Sequence, residues 1–364
     1  MTRSIPPALA AFAAFAVMAG GAARAAEGFE PRYNLAGSLG GELFAPPDQT
    51  GWAGALAVTR IRVEKVTGDD GQKLGQPIPG GALPLPGAPP ALYPSYAGNR
   101  ATIDGTGTFT RSDMVLAYLT TDRYADGRLA FVVDLPYARK QQSIVAGAPT
   151  PALQWNPAVP AATQAAVQGQ FGAQYQGALA AEGADATGTL SGIGDVELQA
   201  GWLYVGERVR VLAGGSVILP TGKYDSGPAP DIGTGHYTTL RPTLQLGYLP
   251  TPDVAVAAKL SLGLNSRNHD NQLRSGNWAG VELAAGYKTP VGVVGLHAIH
   301  LRQYQDDDHN PLGTSRFRST NTGAFFTTKI APIDTVVTVQ YIATTASRNA
   351  KAGTFTQVRL IKLW

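Results

Sequence analysis

The chain has 364 residues, a formal charge of +3, 44 Gly, 26 Pro and no Cys. The lack of Cys excludes disulfides, thiolate metal centres and cysteine nucleophiles, and so small a charge excludes the concentrated positive field that nucleic-acid binding needs. An apolar share of 44% separates it from disordered chains, despite the Gly and Pro.

The first elements belong to export. Arg3, an apolar run from Ala8 to Val17 and small residues up to Ala23-Arg24-Ala25 have the order of a signal peptide over residues 1–25. The run is broken by Gly20 and Gly21, whereas a spanning helix needs about 20 apolar residues. Its removal takes two of the 29 basic residues and leaves a formal charge of +1. Residues 26–50 carry Gly37, Gly40, Gly41, Pro46 and Pro47 and resist regular structure. This N-terminal segment can fold into a lumen as a plug or stay a mobile tail.

Residues 51–364 read as one β-domain. Period-2 stretches recur at about 52–66, 106–121, 127–143, 192–205, 207–219, 236–249, 253–266, 275–288, 291–304, 316–330, 333–345 and 353–364. That is an all-β pattern of about 12 strands, an even number, as a closed antiparallel transmembrane β-barrel requires. Tight turns at 204–207, 250–253, 288–290 and 331–332 alternate with longer connections at 67–105, 144–191, 220–235, 267–274, 305–315 and 346–352. Short periplasmic turns and long external loops alternate in this way when both termini lie in the periplasm.

Alternation also assigns faces. In the seventh stretch Val254, Val256, Ala258, Leu260, Leu262 and Leu264 share the lipid side, opposite Lys259, Ser261 and Asn265. The sixth sets Leu240, Pro242, Leu244, Leu246 and Tyr248 against Thr239, Arg241, Thr243 and Gln245; Pro242 strains that reading, because a closed barrel has no free edge. The ninth and tenth do not separate cleanly. The expected lumen-lining residues are Asp195, Glu197, Arg208, Arg210, Arg241, Lys259, Glu282 and Arg359, with Asp134 as a further inward charge. Trp364 closes the last strand and is the expected assembly signal.

The connection 161–185 is rich in Ala and Gln, with Phe171 and Tyr175 four residues apart. It reads either as a flexible surface loop, given Gly169, Gly172 and Gly177, or as a short helix or fold-in loop near the mouth. On the second reading Trp155, Phe171 and Tyr175 offer an apolar place for substrate contact. Asp306-Asp307-Asp308-His309 lacks the ligand spacing of a calcium loop and reads as a solvated tip. His297 and His300 fall on opposite faces of a strand and cannot easily share a metal.

Several runs carry a resemblance: Ser191-Gly192-Ile193-Gly194-Asp195, Leu219-Pro220-Thr221-Gly222-Lys223-Tyr224-Asp225 and Ile232-Gly233-Thr234-Gly235-His236-Tyr237, with Gly127-Arg128-Leu129-Ala130-Phe131 leading to Leu135-Pro136 upstream. From about residue 106 onward the chain resembles the outer-membrane family associated with the meta-pathway of phenol degradation. The resemblance implies a transporter for aromatic and other hydrophobic compounds.

The expectation is therefore a monomeric barrel in the cell outer membrane that takes up small hydrophobic compounds, aromatic ones among them. Its partners are the lipid bilayer, the outer-membrane assembly machinery and the hydrophobic ligand, with no nucleic acid, cofactor, metal or catalytic residue. A barrel enzyme acting on lipid and a structural surface barrel are the alternatives.

Overall fold

A computed structural model describes Arg32, Leu39 and residues 41–44, 49–225, 227, 229–310 and 316–364. The expected signal peptide lies outside these residues, as does most of the N-terminal segment. Twelve antiparallel strands form the wall: β1 (Gly51–Thr67), β2 (Asn99–Leu119), β3 (Arg128–Gly147), β4 (Glu197–Val205), β5 (Val209–Ile218), β6 (Thr239–Thr251), β7 (Val254–Asn265), β8 (Trp278–Thr289), β9 (Gly292–Gln303), β10 (Arg318–Ile330), β11 (Thr335–Arg348) and β12 (Ala350–Leu363). Each pairs with its neighbour in sequence, and β1 pairs with β12 from Ala53↔Leu363 to Thr67↔Ala350. The wall is closed, so no strand edge is left to satisfy in lipid.

Closure follows from the alternation. Leu240, Leu244 and Leu246 on β6, and Val256, Leu260 and Leu262 on β7, point outward, while Arg241, Lys259 and Ser261 are buried on the inner side. In this fold "exposed" means exposed to lipid, and the apolar band is stable only there. Aromatic residues gather where the short turns lie. Trp52 packs on Tyr118 at 5.0 Å between ring centres and Trp202 stacks with Tyr204 at 6.1 Å, with Trp364 beside β1.

Pro242 costs little. The β6–β7 ladder pairs Leu240 with Leu264 and next Thr243 with Ser261, so the offset is kept and only the intervening positions are skipped. On its other side Pro242 stays paired with Gly215.

Two connections differ from expectation. Residues 346–352 are strand on both sides of Asn349, which turns the hairpin at φ 47°, so the strict alternation of short and long connections fails there. The fourth expected stretch, 192–205, is divided: Gly188–Ile193 is a separate short strand against β3, and β4 starts at Glu197.

β2 and β3 pair from Thr102↔Gly147 to Leu119↔Ala130, well past the 9–11 residues that cross a bilayer, so their far ends project beyond it. Packed on that projection is α1 (Ala161–Asp185). Val167, Phe171, Tyr175 and Leu179 recur at a spacing of four, one ridge of a helix, and they cover Leu83 and Leu153 together with Ile78, Tyr96, Ala148 and Trp155. The helical reading of 161–185 is the correct one. Phe171 and Tyr175, however, are each 2% exposed, so their apolar surface is spent in this small core and offers no landing place. Trp155 is half-buried at the edge of the same core.

Candidate functional site

The inner wall is polar through the middle of the barrel. Lys259 Nζ meets Glu282 Oε1 at 2.9 Å between β7 and β8, positions that face each other in the ladder. Arg241 of β6 bonds Glu197 of β4 across β5, where the facing residue is the small Ser216. Arg111 holds Asp113 on its own strand and reaches Asp134 at 3.1 Å. On the remaining arc, which also carries Arg359, neutral groups bond to one another: Gln340 donates to Gln357 at 2.7 Å, and Gln357 to Thr59 at 2.8 Å. Partnered side chains of this kind are what burial demands, because an isolated buried charge is costly.

Toward the short-turn end the inner wall becomes apolar. Leu249, Ala255, Ala257, Ala284, Val293 and Phe325 all point inward, and Leu39, Leu43 and Phe44 of the N-terminal segment pack against them. Gly41–Phe44 is a single 3-10 turn. This explains why the ninth stretch would not sort by polarity: Val293 faces inward to meet the N-terminal segment, while Ile299 and Leu301 face inward into a cluster with Trp278 and Phe317. His297 is inward beside Phe325, and His300 is outward, bonded to Thr320 at 2.8 Å.

Near the other end of the lumen lies Arg32, 2% exposed. Its Nη2 stands 3.2 Å from Asp195 Oδ2, its Nε donates to Thr234, and its two Nη atoms donate to the carbonyls of Tyr237 and Gly235. The Tyr237 ring covers the guanidinium, with Cζ 3.9 Å from the ring centre. Asp195 is fixed independently, accepting from the Gly222 and Thr234 amides at 3.0 Å each and from the Thr234 hydroxyl at 2.9 Å.

A family model described as "Putative MetA-pathway of phenol degradation" matches residues 97–360. The chain belongs to that family. Similar solved structures include the COG4313 outer membrane channel from Pseudomonas putida F1, with TM-score 0.56 and 14% identity over 88% of this chain and 98% of that one. That likeness shows the fold. The CymD monoaromatic hydrocarbon channel has TM-score 0.38 and 12% identity over 94% of this chain and 99% of its own. The P. putida toluene transporter TodX has TM-score 0.38 and 11% identity over 89% and 94%. No curated protein matches the chain.

Three of the four runs that carry the family resemblance meet around Arg32 and Asp195. Asp195 ends the first, Gly222 lies in the second, and Thr234, Gly235 and Tyr237 lie in the third. Gly222 and Gly233 have a steric reason to be glycine: a Cβ on Gly222 would sit 2.6 Å from the Gly233 Cα and 2.8 Å from Asp195 Oδ1. What looked like separate turn motifs is one construction that holds a carboxylate in place.

Of the expected lumen residues, Glu197, Arg241, Lys259, Glu282 and Arg359 are inward and buried. Asp195 is buried but lies between strands, and its cation is Arg32 rather than a residue of the wall. Arg208 is a correction: it is exposed in the turn before β5, because the strand begins one residue later. Arg210 is partly buried and donates to the Gly206 carbonyl of the same turn. Arg111 and Asp113 were not singled out, although both share the inward parity of β2, which a pass along that strand could have found. Nothing in the sequence marks Arg32, whose partners lie some two hundred positions away.

The Asp306–His309 run is tied to neighbouring loops. Asp306 bonds Arg316, Asp307 accepts from the Gly276 amide at 2.8 Å, and Asp308 bonds Arg267. No cluster suited to a metal ion occurs among the described residues.

Proposed function

We propose that the protein is an outer-membrane channel for small hydrophobic compounds, aromatic ones included, with its N-terminal segment seated in the lumen at rest. The observation that carries this reading is the apolar arc formed by Leu249, Ala255, Ala257, Ala284, Val293 and Phe325 on the inner wall, beside the band of ion pairs. A water-filled pore for ions or sugars has no use for such an arc, whereas a hydrophobic solute gains by entering it. Leu39, Leu43 and Phe44 cover that surface and keep it from water until the segment shifts. Family membership supports the same reading. The protein would be exported by its leader, inserted as a monomer by the assembly machinery with Trp364 as signal, and surrounded by lipid.

Uptake into proteoliposomes tests this. Phenol and toluene should equilibrate faster across protein-containing bilayers than across empty ones, while a sugar of similar size should not. Equal acceleration of the sugar would make the protein a general pore. Phospholipid turnover without solute uptake would favour the lipid-enzyme alternative.

A further inference from the structure

The site that holds Arg32 is complete without Arg32. Every acceptor around the guanidinium belongs to the barrel: the Asp195 carboxylate, the Thr234 hydroxyl, and the Gly235 and Tyr237 carbonyls, with the Tyr237 ring as a face. The carboxylate is fixed by two amides and a hydroxyl that also belong to the barrel. The cage therefore keeps its shape when its occupant leaves, which lowers the cost of binding a second one. One negative charge, two carbonyls, a hydroxyl and an aromatic face suit a planar guanidinium or an alkylammonium. A neutral aromatic hydrocarbon would find only the ring, a phenol could satisfy at most one of the acceptors, and an anion would meet the carboxylate. With Arg32 in place Asp195 is 7% exposed, and departure of the guanidinium would remove the cation bonded to it, which favours recapture of another.

We propose that this cage is a binding site for small organic cations, guanidinium or alkylammonium in type, of which Arg32 is the built-in occupant. A free cation of that class competes with Arg32 and loosens the hold on the N-terminal segment. The proposal goes beyond solute uptake and stands on the cage geometry alone.

The test is calorimetric titration of the full chain in lipid nanodiscs with methylguanidinium, at constant ionic strength against sodium chloride. Arg32→Ala should bind the probe about tenfold more tightly than the parent, whose own side chain competes. Arg32→Ala combined with Asp195→Asn should lose that gain. If the single and double variants bind alike, or neither binds, the cage is not a cation site. Should Arg32→Ala fail to fold by heat-modifiable migration, Arg32→Lys replaces it: fewer donors hold the cage, so the probe should compete better than against the parent, and equal affinity would sink the idea. A second reading uses the parent itself, in which amide exchange at residues 39–44 should rise in methylguanidinium chloride and not in sodium chloride. Absence of that rise overturns the competition. Binding of the probe without phenol uptake would sink the channel reading and leave the cage standing; the reverse would sink the cage alone.

Discussion

Lys259 and Glu282 face each other on adjacent strands, and burial makes each depend on the other. Glu282→Gln should cost about 3–5 kcal/mol, because it leaves the ammonium without its counter-charge. Lys259→Met with Glu282→Leu should recover most of that loss. Urea unfolding in lipid vesicles measures both, and a single variant as stable as the parent would mean that water reaches the pair. Asp69, in the loop after β1, is the opposite case of a charge in the open. Hydrogen bonds from Arg348 and Asn349 hold its carboxyl below the ordinary value of 3.8. A carboxyl depressed by folding adds stability above its unfolded value and loses it as pH falls through the lowered one. Amide exchange at residues 68–73, taken relative to the intrinsic rate at each pH, should therefore stay constant from neutral pH to about pH 4 and rise only below it. A rise already near about pH 6 would assign the tie to another group. Inward charges were legible in the sequence where lipid enforces strict alternation, as at Arg241 and Lys259. Arg208 was misread because alternation does not say where a strand stops, and the turn before β5 keeps the same parity.

All twelve strands could be read from the sequence, since a wall with lipid on one side repeats one rule twelve times. Helix α1 was harder, because four glycines interrupt it and its apolar ridge is made of only four residues. Two of those glycines face open space: a Cβ on Gly169 or Gly177 would meet nothing within 4 Å. Gly169→Ala and Gly177→Ala should each stabilise the helix by about 0.5–1 kcal/mol through propensity and the unfolded chain alone. Slower amide exchange within 161–185, with exchange in the barrel unchanged, is the expected readout. No change would mean that exchange there reports the undocking of the whole helix from β3. The hairpin at Asn349 was misjudged for a different reason. Its polar residues read as loop, yet the paired ends of β1 and β12 extend past the membrane, where both faces are free to be polar.

At the scale of the molecule, the occupied lumen was only half legible. The sequence marks a segment unable to form regular structure and placed ahead of β1, but its partners on β6 to β10 reveal themselves only once the wall is closed. Removing residues 30–48 should raise single-channel conductance in planar bilayers while heat-modifiable folding persists. A folded deletion variant that conducts like the parent would place the resting barrier elsewhere, in the ring of ion pairs around Arg241 and Lys259.

A barrel that closes around its own beginning also imposes an order in time. Arg32 and Phe44 sit near opposite ends of the lumen, and the wall around them is sealed by the pairing of β1 with β12, the last strand to be made. Arg32, Leu39, Leu43 and Phe44 must therefore wait inside until the final strand arrives, or be threaded later through the periplasmic opening. In the first case the seam zips over cargo already loaded. A handle inserted at the exposed tip around Gly87 would stay outside the closing wall.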